Sequence, residues 1–139
     1  MKSKSSQTVQ RAEPVAAQVN GNEMPQFTAL ERAALEEICR HSQERPALEA
    51  QLATARVSRR KSTEVGFITY FDVDRNGPSL TSRWRVVGNV AATIAGFERP
   101  LLLALFMSKD GYANMLEATT GDSTAGIDFS AVRFEIDPS

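Results

Sequence analysis

With 139 residues, 42% hydrophobic and 24% charged, the chain has the composition of one globular domain with a single packed core. Sixteen basic residues against seventeen acidic ones remove the global positive field that a nucleic-acid or anionic-membrane binder uses. Cys39 and His41 stand alone in their residue types, so no internal disulfide, no Cys/His zinc cluster and at most one histidine base can be assembled from this sequence.

From Met1 to Glu23 there is no aromatic residue, and polar residues dominate. Such a segment buries too little apolar surface to offset its ordering entropy, so residues 1–25 are expected to be a disordered tail and 26–139 a single domain. The first residues lack the apolar stretch of a secretory signal, and the longest apolar run, Leu101 to Met107, is far short of the ~20 residues that a membrane-spanning helix needs. A cytoplasmic protein with no membrane contact is the expectation; a leader for signal-less secretion is the alternative for the tail.

Thr28 followed by Glu31 forms a T-x-x-E capping box, in which hydroxyl and carboxylate satisfy backbone donors at a helix start. Leu30, Ala34, Leu35, Ile38 and Cys39 follow at helical spacing, which predicts a helix ending near Ser42. Cys39 continues the apolar stripe and reads as a core residue, while His41 falls at the helix C-terminus, where its charged form complements the dipole. Pro46 suits the first turn of a second helix with Leu48, Leu52 and Ala55 on its apolar side.

Beyond Val57 the period changes to two. Val65, Phe67, Phe71 and Val73 are expected on one side of a strand, and Trp84, Val86, Val90, Ala92 and Ile94 on one side of a longer one. Leu101 to Ser108 and Tyr112 to Thr119 flank Asp110-Gly111, a two-residue hairpin signal, and a last strand alternates through Val132, Phe134 and Ile136. Asp74 to Ser82 and Thr120 to Gly126 read as loops. The expected fold is therefore α+β, with two N-terminal helices packed on a mostly antiparallel sheet of five or six strands.

Four features bear on chemistry. Asp72, Asp74 and Asn76 before Gly77 reproduce the first half of a calcium loop, but Arg83 stands where a bidentate Glu would close it, so a strand end entering an Asn-Gly turn is expected instead. Arg56, Arg59, Arg60 and Lys61 would serve a weak nucleic-acid binder, yet no aromatic is interleaved with them, and a solvated edge strand guarded by charge is preferred. A turn at Asp110-Gly111 pairs Lys109 with Tyr112, Phe106 with Met115 and Ala104 with Glu117. Glu117 then shares a face with Leu102, Ala104, Phe106 and Met115, whereas Leu103, Leu105, Met107 and Leu116 make the better core. Phe106, Tyr112, Met115 and Glu117 are accordingly the candidate binding residues; no residue is assigned a catalytic or metal-binding role, and no cofactor is expected.

Lys61-Ser62-Thr63-Glu64-Val65-Gly66-Phe67 with Asp110-Gly111-Tyr112-Ala113-Asn114-Met115-Leu116-Glu117 resembles a set of small, uncharacterised bacterial proteins with a K-x-T-x-V-G-F strand and a D-G-x-x-x-M-L-E hairpin. The resemblance spans about Phe27 to Ile136 and implies a bacterial α+β domain, with no activity to carry over. Where that pattern continues with aromatics and a Trp-Pro pair, this chain has Ala118-Thr119-Thr120-Gly121-Asp122-Ser123. The expected function is a non-enzymatic protein-binding or accessory domain, immunity-like or inhibitor-like, with another protein or a second copy as partner. A small enzyme using carboxylates such as Glu117 and Asp72 is the alternative.

Overall fold

The computed structural model describes residues 27–82 and 84–138. The expected disordered tail, residues 1–25, lies outside them. Helix α1 (Ala29–Arg40) starts at the predicted box: the Thr28 hydroxyl accepts from the Glu31 N–H at 3.1 Å, and the Glu31 carboxylate accepts from the Thr28 N–H at 2.8 Å. Leu30, Ala34, Leu35, Ile38 and Cys39 form its buried stripe. Helix α2 (Arg45–Leu52) has proline in its first turn. Its buried residues are Leu48 and Gln51, with Leu52 only partly covered. Gln51 goes inward because its amide has three partners there: it donates to the carbonyls of Pro78 and Gly111 and accepts from the Ala113 N–H, each at 2.9 Å.

Six strands follow: β1 (Arg56–Thr63), β2 (Gly66–Asp72), β3 (Val86–Ile94), β4 (Leu101–Met107), β5 (Ala113–Thr119) and β6 (Phe134–Ile136). They form one antiparallel sheet in the order β1-β2-β5-β4-β3-β6. The fold is α+β as expected, and no helix among the described residues is long and apolar enough to cross a membrane.

One face of the sheet meets the helices. Leu101, Leu103, Leu105, Met107, Leu116 and Ala118 from the middle strands, with Phe67, Phe71, Ala92 and Ile94, join the α1 stripe in one core. Gly66 exists for close approach: a Cβ there would sit 1.8 Å from the Ala118 carbonyl oxygen.

Three local expectations are corrected. Val65 lies in the β1–β2 turn and is exposed, because that connection is too tight to extend the strand through it. Trp84 precedes β3 and is 78% exposed; a register shift between Val86 and Gly88 breaks the alternation that would have carried it inward. The β4–β5 turn is not a two-residue loop. The Ser108 N–H donates to the Tyr112 carbonyl at 2.9 Å, so Lys109, Asp110 and Gly111 form a three-residue loop with Gly111 at φ +89°. A shift in the ladder between Phe106 and Met107 absorbs the difference, which leaves Phe106 opposite Met115 and Ala104 opposite Glu117 as expected.

Candidate functional site

Among the described residues, no helix lies on the second face of the sheet. Its side chains follow from the register and fall into cross-strand rows. One row runs Arg59, Tyr70, Met115, Phe106, Val86; the next runs Lys61, Ile68, Glu117, Ala104, Asn89; a third holds Thr119, Leu102 and Ala91. Leu102 is 53% exposed, and Ile68, Tyr70, Phe106, Met115 and Glu117 are half-buried by one another. This is an apolar patch several strands wide, rimmed on β1 by cations. The Arg59 guanidinium lies 4.5 Å from the centre of the Tyr70 ring, a cation–π contact that holds the ring and the rim together.

Glu117 sits near the middle of the patch, on a central strand. Its direct neighbours across the sheet are Ile68 and Ala104, and among the described residues no hydrogen bond or ion pair reaches its carboxylate. Lys61, the nearest cation in that row, is two strands away, about 10 Å at ordinary strand spacing.

Phe106, Met115 and Glu117 are thus brought together, and Tyr112 is not. Its hydroxyl lies 2.9 Å from the carbonyl oxygens of both Arg75 and Gly77, and Arg75 covers its ring at 5.3 Å from the centroid while pairing with Asp110. Tyr112 pins the loop after β2 to the hairpin end. Hydrogen bonds from the Asp110 neighbours Ser108 and Arg75 hold the Asp110 carboxyl below its usual range.

The cation cluster on β1 is divided by strand alternation and a register shift between Val57 and Arg59. β1 is an edge strand as expected, and Arg59 and Lys61 face the open side. Arg60 instead turns toward α1. Its Nη2 lies 2.7 Å from one Glu31 oxygen and its Nε 3.0 Å from the other, and the Thr69 hydroxyl also donates to Glu31. Burial alone would raise the Glu31 pKa. The Arg60, Thr69 and Thr28 donors more than offset it and hold the carboxyl below its ordinary 4.5. Sequence reasoning found Glu31 as a cap but missed this role, which depends on a partner 29 residues away. No signal in the sequence marked it: by simple alternation Arg60 falls on the side opposite the buried Val57, and only the register shift between Val57 and Arg59 turns it inward.

The calcium half-motif is occupied by turn chemistry. An Asp74 carboxylate oxygen accepts from the Asn76 N–H at 2.9 Å, and the Gly77 N–H reaches the Asp74 carbonyl, as in an Asx turn. Among the described residues no group of three or more metal-ligating side chains occurs. Asp72 and Glu117 share the open face but stand four residues and one strand apart, about 14 Å by strand geometry. Cys39 is buried beneath a groove of about 530 Å³ between α1 and α2, and burial pushes its thiol pKa up to about 11. His41 caps α1 and lies 3.1 Å from Glu37.

No family model, curated protein or solved structure matches the chain.

Proposed function

We propose that the protein is a non-enzymatic protein-binding domain, immunity-like or inhibitor-like, whose interface is the uncovered sheet face centred on Phe106, Met115 and Glu117. One observation carries the proposal: an apolar patch surrounds a carboxylate that has no partner among the described residues. Covering that carboxylate without compensation costs several kcal/mol, so the partner brings an Arg or Lys set among apolar side chains. Strands of seven residues in the five strands that the rows cross offer a footprint roughly 24 Å by 19 Å, of the same order as the ~800 Å² per partner of a standard interface.

Carboxylate catalysis is the competing reading. The wide separation of Asp72 from Glu117 weighs against it, since the carboxylate pair of a glycoside hydrolase stands about 5–9.5 Å apart and that of an aspartic protease about 3 Å. Nucleic-acid binding is weakened by the inward turn of Arg60, which removes one cation from the surface cluster.

The test immobilises the full chain as wild type, Met115→Asp and Glu117→Lys. A protein retained by the wild type and lost from both variants is purified and titrated by calorimetry; Glu117→Lys should weaken its binding at least tenfold, about 1.4 kcal/mol. Equal affinity for wild type and Glu117→Lys refutes the proposal. So does turnover in a hydrolase or transferase screen that vanishes in Glu117→Gln.

A further inference from the structure

Gly66 and Gly111 have conformational reasons to be glycine: a Cβ at either would meet main-chain oxygens at 1.8 and 2.4 Å. Gly77 has no such reason. Its φ lies outside the left-handed region, and a Cβ there would meet nothing closer than the Asp74 carbonyl oxygen at 3.6 Å, an ordinary contact. What glycine does supply at 77 is an unhindered peptide nitrogen, and the residue before it is Asn76. The other asparagines among the described residues lack that neighbour: Asn89 precedes Val90 and Asn114 precedes Met115, both within strands.

Asparagine is a chemically labile side chain, and the turn leaves this one open to reaction. Asn76 is exposed, and its side-chain amide has no hydrogen bond among the described residues, whereas its main-chain N–H donates to the Asp74 carboxylate at 2.9 Å. The amide carbon can therefore swing onto the next peptide nitrogen. The described bond that restrains this nitrogen is long: the Gly77 N–H reaches the Asp74 carbonyl at 3.4 Å, beyond the ordinary range of about 2.7–3.2 Å.

We propose that Asn76-Gly77 is a site of spontaneous deamidation through a succinimide ring, with water as the co-reactant. Solvent base removes the Gly77 N–H proton, the nitrogen bonds to Asn76 Cγ, and the side-chain nitrogen takes a proton from solvent and leaves as ammonia. Water then opens the ring. Addition at Cγ gives aspartate; addition at the former main-chain carbonyl gives isoaspartate, in which the chain runs through Cβ and Cγ and is one carbon longer. The Tyr112 hydroxyl senses the difference. It lies 2.9 Å from the carbonyl oxygens of both Arg75 and Gly77, one on each side of residue 76. Isoaspartate adds about 1.5 Å of chain between those carbonyls, so the hydroxyl keeps only one of them, and the loop after β2 loosens from the hairpin end. Aspartate adds a charge beside Asp74 and leaves both carbonyls in place.

Incubation of the full chain at ~37 °C and pH 8 for several weeks, followed by peptide mapping in a mass spectrometer, tests this. Aspartate and isoaspartate should accumulate at 76, isoaspartate in excess, while Asn89 and Asn114 stay intact. Mapping also separates the second such pair, Asn20-Gly21, which lies outside the described residues. Gly77→Ala is the decisive variant. The turn accommodates its Cβ, so the urea midpoint should be unchanged, yet the methyl group crowds the attacking nitrogen and conversion at 76 should slow at least about tenfold. Wild-type conversion should also quicken from pH 6 to pH 9, which keeps the test decisive if Gly77→Ala fails to fold. The converted chain, separated by its extra negative charge, should have a lower urea midpoint than the wild type; Asn76→Asp should not, and in Tyr112→Phe conversion should lower the midpoint no further. An Asn76 that persists like Asn89, a folded Gly77→Ala that converts as fast as the wild type, or a rate that ignores pH overturns the site. A converted chain as stable as the wild type overturns its coupling through Tyr112.

Discussion

Replacing Arg60 by Met removes the cation from a carboxylate that is fully buried. Glu31 has no exposed surface, and one oxygen accepts from Arg60 and Thr28 while the other accepts from Arg60 and Thr69. Breaking a buried pair from one side typically costs about 3–5 kcal/mol. The Arg60 side chain keeps 35% of its exposure, so water screens part of the loss and about 3 kcal/mol is the better figure. Urea denaturation at pH 7 measures it, and the midpoint should fall without a change in slope. Acid supplies an independent check. Because the folded-state pKa of Glu31 lies below its ordinary 4.5, the stabilisation is fully present above about that pH and is lost as pH falls through the folded pKa. In Arg60→Met the same carboxyl is buried without its cation, takes up a proton at higher pH, and the gap between variant and wild type should narrow on acidification. A second variant, Glu31→Leu with Arg60→Met, should recover much of the loss but not the cap to Thr28, worth about 1 kcal/mol. A cost below ~1 kcal/mol for Arg60→Met, or a gap that widens toward pH 3, would refute the assignment of this pair as the link between α1 and β1.

The hairpin's two faces should separate in stability measurements. Leu116→Ala, at a site with no exposure, should cost about 2–5 kcal/mol, whereas Met115→Ala with Glu117→Ala should change the urea midpoint little; a reversal would mean that the faces are exchanged. Cys39, 5% exposed and with its pKa raised to about 11, should react with a thiol reagent at pH 8 only as fast as the protein opens, and rapid native-state labelling would contradict its placement in the core.

Local chemistry sufficed for the elements whose signals lie within a few residues of one another. The capping box at Thr28 and Glu31, the apolar stripe of α1 and the period-two strands of the hairpin were all legible, because capping and side-chain alternation are set by backbone geometry that repeats every two to four residues. The same alternation placed Leu105 and Leu116 in the core and Met115 and Glu117 on the other face, even though the turn itself holds one residue more than expected. The extra residue was illegible because Asp110-Gly111 suits both loop lengths, and the choice falls to tertiary contacts: Gln51 reaches the Gly111 carbonyl, and the Leu80 N–H bonds it too, at 2.8 Å. The contacts of Arg60 and Tyr112 were illegible for the same reason. Each is polar enough to be written on the surface, and each finds partners 29 to 37 residues away in sequence that only the folded chain supplies. Whether the second face of the sheet would be covered was likewise undecided by pattern, since Ile68, Tyr70 and Phe106 are as apolar as many core residues. The topology decided it: both described helices precede the sheet and pack on one side of it, so among the described residues the other face has no helix over it.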